Sequence, residues 1–146
     1  MNYARLALAA VAATIFDACY GFAVYGTYLA PEFGRYPGVF RSNEAGQAYL
    51  PLMFGGLLVA IVIATMIYAK GYEGGNGANE GLRFGVLLGL FVALAFSGVN
   101  YAVLNIGRKL AVQMAAAGLI EWTIIGLIIG VVYKPAQTPA RQSAGV

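Results

Sequence analysis

Apolar positions in this chain do not alternate with polar ones. They run together in four long blocks, at about residues 4–29, 48–69, 81–106 and 110–133, and the short segments between them hold nearly all the charge. Each block reaches the roughly 20 residues that a helix needs to cross the hydrocarbon core of a bilayer. The unbroken apolarity argues against a transmembrane β-barrel, whose strands alternate lipid-facing and lumen-facing residues over about 10 positions. The pattern predicts an all-α polytopic membrane protein, a bundle of four transmembrane helices forming one domain over residues 1–134. A flexible tail of Pro, Ala, Gln and Ser is expected at 135–146. Four crossings put both termini on one side of the membrane.

The polar breaks refine this picture. The start imitates a secretory signal, with Arg5 before the Ala-rich run from Leu6 to Phe16, but apolar character continues to Leu29, so a retained first helix is expected. The first break carries Tyr28, Pro31, Phe33, Tyr36, Pro37, Phe40 and Tyr49, which suits either an aromatic belt at the headgroup layer or a lid over a cavity. Ser42 or Asn43 is placed to cap a turn leading into the second helix. The second break, GYEGGNGANE, reads as a glycine-rich connector with Asn76 or Asn79 capping the third helix.

Composition agrees and closes several routes. Apolar residues make up 60% of the chain and charged residues 10%, against about 25% charged in ordinary soluble domains. The absence of histidine excludes bis-His haem ligation, zincin chemistry and a Ser-His-Asp triad within the chain, and a single cysteine, Cys19, excludes an internal disulfide. No metal, cofactor or catalytic residue is expected, and the reading is non-enzymatic. A net charge of +3 spread over the loops gives nucleic acid no patch to bind. Arg5, Lys70, Arg83, Lys134 and Arg141 fall on one side of the bilayer, against Arg35, Arg41, Arg108 and Lys109 on the other; with the N-terminal amine added, the count favours both termini in the cytoplasm, while the Arg108-Lys109 pair in the shortest loop argues the other way.

Small residues recur every fourth position on the third helix, at Gly81, Gly85, Gly89, Ala93 and Ser97, with partial counterparts at Ala9/Ala13/Asp17/Gly21, Gly56/Ala60/Ala64 and Gly126/Gly130. In lipid, helices associate through close van der Waals packing and interhelical hydrogen bonds, which such stripes permit. The stripes serve packing inside the bundle, or one of them, foremost that of the third helix, contacts another copy or another membrane subunit.

Asp17 and Glu121 interrupt their blocks near the middle. A carboxylate at mid-membrane depth costs at least about 2.5 kcal/mol, so both are expected to face the bundle interior. Helices one and four run antiparallel, so the two can meet at one depth and share a proton, as a transport site or as hydrogen-bonding glue. Asn100 and Tyr101 add polar groups farther along the third helix, Tyr20 and Tyr25 stand near Asp17 as candidate donors, and Trp122 beside Glu121 is expected to pack on protein.

On the segments YPGVFRS, EGLRFGVLLG and EWTIIGLIIGVVY the chain resembles a family of small uncharacterised bacterial integral membrane proteins with four helices. The resemblance implies the architecture and a bacterial cytoplasmic membrane, and assigns no site. Two functions follow from the residues. The first is an accessory or scaffold subunit in the lipid bilayer, packed against other membrane subunits of a larger, energy-transducing type of complex. The second is a small oligomeric proton-coupled transporter or channel that uses Asp17 and Glu121.

Overall fold

The computed structural model describes residues 1–133, and the tail expected at 135–146 lies outside them. Four helices are long and apolar enough to cross a membrane: α1 (Tyr3–Tyr28), α2 (Leu50–Gly71), α3 (Gly77–Val103) and α4 (Arg108–Val132). Two short helices, Ala30–Phe33 and Asn43–Gln47, lie between α1 and α2, and no strand occurs among the described residues. The chain is an all-α bundle of four membrane-length helices.

Local chemistry sets the ends. Asn2 caps α1 by accepting from the Arg5 N–H at 3.2 Å, and Ser42 caps the short helix after it by accepting from Ala45 at 3.3 Å. Asn76 accepts from both Ala78 and Asn79, at 3.0 and 3.2 Å, so α3 begins at Gly77 and not at Gly81. Glu80 then ties the connector down by accepting from Gly75 at 2.6 Å and from Glu73 at 3.3 Å. Pro51 stands in the first turn of α2, where its missing N–H costs nothing.

Two stretches depart from α geometry. Gly21–Tyr28 of α1 and Ala93–Gly98 of α3 are π-wound, with bonds reaching five residues back, as in Leu29 N–H to Val24 O at 2.7 Å. Gly21 begins the first of these stretches and Gly98 ends the second.

The bundle is built around α4. Its interface with α3 is the largest between any two helices, α1 packs against both α4 and α2, and α2 has a smaller contact with α4. The α3–α4 interface is backbone against backbone. A Cβ on Gly85 would stand 2.5 Å from Thr123 O and 2.8 Å from Trp122 O, one on Gly81 would stand 2.5 Å from Gly126 O, and one on Gly89 2.8 Å from Leu119 O. Cβ atoms on Gly126 and Gly130 would strike Gly85 Cα and Gly77 O in turn. The glycine stripe of α3 is therefore occupied by α4 within the same chain. Farther along it, Ser97 is buried and Ala93 half-buried.

At the end that holds Tyr3 and Val132 the four helices close on an apolar cluster of Leu6, Ala9, Ala13, Ile61, Ile125 and Ile129. Tyr68, Tyr72, Phe84 and Tyr133 stack over it with ring centroids 5.5–6.2 Å apart. At the other end α2 stands clear: Leu50 through Gly56 are exposed on every side, and a Cβ on Gly55 or Gly56 would meet nothing within 4 Å. Of the small stripe Gly56/Ala60/Ala64, Ala64 alone is buried.

The segment after α1 folds over the start of α4. Leu29 is buried, Phe33 and Phe40 stack at 4.9 Å, and both pack with Tyr36 and Val39 on Ile106, Leu110 and Ala111. Tyr36 Oη accepts from the Gly107 N–H at 3.0 Å, and Lys109 Nζ donates to Glu32 Oε1 with Arg35 3.6 Å from the other oxygen. Arg41 lies over the ring of Tyr49 at 3.9 Å. The aromatic residues thus build a fixed cover at this end.

Two outcomes follow from this packing. Gly85→Leu is expected to lower stability by about 3 kcal/mol, the upper end for overpacking because the obstacle is backbone, whereas Gly56→Ala should stay within about 0.5 kcal/mol; thermal unfolding in detergent by circular dichroism checks both. The second concerns pH. The hydrogen bond from Lys109, backed by the charges of Arg35 and Lys109, outweighs partial desolvation and holds the Glu32 carboxyl below the usual carboxylate range. Its contribution is present above the unfolded carboxyl value and is lost as pH falls through the lower folded one. Hydrogen-exchange protection of the Gly107 amide should fall over that acid window in the native chain and show no such step in Glu32→Gln.

Candidate functional site

Asp17 and Glu121 are brought together. Asp17 lies on the face of α1 formed by Ala9 and Ala13, both fully buried, and Glu121 on the face of α4 formed by Ile125 and Ile129, also fully buried. Because α1 packs on α4, both carboxyls point into the interface, 2% and 7% exposed, within hydrogen-bonding reach of each other. Each sits near the middle of its membrane-length helix.

Tyr25 completes the group by donating from its hydroxyl to Glu121 Oε2 at 3.1 Å. In a regular α-helix, eight residues at about 100° each would carry Tyr25 about 80° past the face of Asp17. The π-wound stretch from Gly21 turns less per residue, which brings the phenol back over the pair. Tyr20 donates to Ala117 O at 2.9 Å, one turn along α4, and the two tyrosine rings meet edge to face at 6.2 Å. The expectation that these phenols bond Asp17 is corrected: their partners are on α4. Asp17 Oδ1 is left buried with no hydrogen-bond partner.

That orphan defines the chemistry. Ionised carboxylates only accept hydrogen bonds, so Asp17 and Glu121 bond each other when one of them carries a proton. Double ionisation of neighbouring carboxyls in a dry interior is disfavoured. Among the described residues, no group of three or more His, Cys, Asp or Glu side chains stands together.

The other candidates fall elsewhere. Asn100 is half-buried and Tyr101 exposed at 48%, on the far part of α3, and neither joins the carboxyls. Trp122 is half-buried against the apolar cluster, and its carbonyl lies beside Gly85. Gly81, Gly85, Gly89, Gly126 and Gly130 lie in the α3–α4 interface. Cys19 is exposed. Gln113, not singled out from the sequence, has its Oε1 buried without a partner. Its signal was present as spacing, since Gln113, Ala117 and Glu121 recur every four residues on one face of α4.

Removing the donor should expose the arrangement. Tyr25→Phe leaves Glu121 without its phenol and is expected to cost about 1–3 kcal/mol. Asp17→Asn should fold as well as the native chain, because its amide N–H supplies to Glu121 the hydrogen bond that a proton otherwise makes. Thermal unfolding of both variants in one detergent decides it.

No protein-family model, curated protein or solved structure matches this chain.

Proposed function

We propose that this chain is a small proton-coupled transporter or channel of a bacterial cytoplasmic membrane, with Asp17 and Glu121 as its proton-binding pair. The observation that carries the reading is the buried meeting of two carboxyls from antiparallel helices, with Asp17 Oδ1 unpartnered. Ionisable groups inside membrane bundles mark proton relays and ion paths. The glycine stripe that motivated docking to a larger assembly is occupied by α4, which moves weight from packing toward chemistry.

In this reading Glu121, held by Tyr25, and Asp17 share one proton between them, and release of that proton leaves two acceptors facing each other. The bundle relieves that state by separating α1 from α4 or by taking up a cation or a new proton. The resemblance to small bacterial membrane proteins supports the location, and the lysine and arginine distribution supports both termini in the cytoplasm.

A second reading, an accessory subunit of a larger complex, is favoured by α2, whose first half presents Leu50, Leu52, Met53 and Phe54 with no helix of this chain against them. The two separate by experiment. Purified chain in sealed liposomes with a trapped pH dye is expected to carry protons under an imposed potential, and the double variant Asp17→Asn, Glu121→Gln to lose that flux. Flux equal to protein-free liposomes, together with stoichiometric co-migration with a large complex on native gels, would establish the subunit reading in its place.

A further inference from the structure

We infer that the cleft between the end of α2 and the start of α3 binds a phospholipid whose head group ends in a primary ammonium, with the phosphate on Arg83, the ammonium on Glu73 and an acyl chain against Ile67 and Leu87. The inference rests on the placement of the helices in a bilayer and is independent of what the carboxyl pair does.

The cleft follows from how the helices pair. α2 packs on α1 and α3 lies on α4, so α2 and α3 are joined by the connector without lying against each other along their length. Where they come together, the Tyr68 and Phe84 rings stand 5.5 Å apart, and the Tyr68 hydroxyl donates to Gly77 O at 3.3 Å. Over these rings lies a cavity of about 230 Å³, with buried Tyr68 and half-buried Phe84 as its floor and exposed Ile67, Glu73, Arg83 and Leu87 around it. Sites that enclose a whole drug-sized molecule begin near about 300 Å³. This one has room for a head group and leaves the rest of the molecule outside, in lipid.

Its lining is ordered as an amphiphile is. α2 ends at Gly71 and α3 begins at Gly77, so deeper positions come earlier on α2 and later on α3. Glu73 stands in the connector, and Glu80 and Arg83 in the first two turns of α3. Leu87 is one turn deeper than Arg83, and Ile67 one turn deeper than Gly71, about 6 Å in each case. Deeper again, Ile63 on α2 and Phe91 and Leu94 on α3 are exposed. Charge at the rim with apolar side chains below it matches a head group whose chain points toward the midplane.

The charges choose the head group. Glu80 is committed to the connector, accepting from the Gly75 and Glu73 N–H groups. Arg83 and Glu73 are left over: among the described residues no carboxylate lies within 4.0 Å of the Arg83 guanidinium, and the Glu73 carboxylate makes no hydrogen bond or ion pair. A guanidinium takes a phosphate through two parallel hydrogen bonds. A primary ammonium offers a carboxylate three N–H donors, where the quaternary nitrogen of a choline head group offers none. Two carboxylates and one guanidinium line the cavity, so a lipid of net negative charge meets a repulsion that a zwitterion does not. Lys70, one residue before Gly71, does not line it.

Native mass spectrometry tests the assignment, using full-length chain delipidated in mild detergent and titrated with phosphatidylethanolamine, phosphatidylcholine and phosphatidylglycerol of identical acyl chains. The ethanolamine lipid is expected to bind several-fold more than either of the others at equal concentration. Arg83→Ala should lower its binding several-fold, and Glu73→Gln should bring it down to the level of the choline lipid while leaving the choline lipid unchanged. Both side chains are exposed and Glu73 lies outside the helices, so both variants are expected to unfold at the native temperature. Should Arg83→Ala unfold early, the Glu73→Gln comparison decides alone. Equal binding of the three lipids, preference for phosphatidylglycerol, or an ethanolamine preference that survives Glu73→Gln overturns the assignment. Occupancy by soluble glycerophosphoethanolamine equal to that of the lipid overturns it too, by making the cleft a site for a free head group.

Discussion

Everything in this bundle is referred to the contact between the backbones of α3 and α4. Lipid offers helices no hydrophobic reason to associate, so they hold together by how closely they approach and by the polar groups they share. Gly77, Gly81, Gly85 and Gly89 let α3 lie directly on the carbonyls and Cα atoms of α4 at Gly126, Gly130 and Thr123. That contact leaves one side of α4 wholly committed to α3. The remaining face carries Glu121, Ile125 and Ile129 and is taken by α1. The site of the carboxyl pair is thus a consequence of where the glycines are.

A second constraint acts through burial. Two acidic side chains inside an apolar interface oppose assembly unless each is supplied with a partner, and here the partners are one phenol and each other. The winding of α1 changes to make this possible, since the π-wound stretch after Gly21 is what aims Tyr25 at Glu121. Irregular helix and buried carboxyls occur together here.

Much of this was legible in the residues. Each of the four spans uses an unbroken apolar block, which no other element length accommodates, and the four-residue recurrence of glycine on α3 is plain. The central positions of Asp17 and Glu121 within their blocks already placed them at one depth. What could not be read is neighbourhood. Nothing in the order of the blocks says that α4 faces α3 and α1 while α2 stands half apart, because that depends on which faces remain after the closest pair has formed. The π winding left only glycines as its trace, so the placement of Tyr25 on Glu121 of α4 could not be read either. The Glu32–Lys109 pair, 77 residues apart, joins the short helix after α1 to the first turn of α4, whose proximity exists only once α1 and α4 are side by side.

The clasp of Glu32 on Lys109 and of Tyr36 on Gly107 has a bearing on depth. A slip of one residue along a neighbouring helix moves a side chain about 1.5 Å, and a slip of one turn about 5.4 Å. Either would pull Asp17 off the level of Glu121. By fastening the chain just beyond α1 to the first residues of α4, the clasp works as a depth gauge, setting the vertical register of two helices at a point well away from the carboxyls that depend on it.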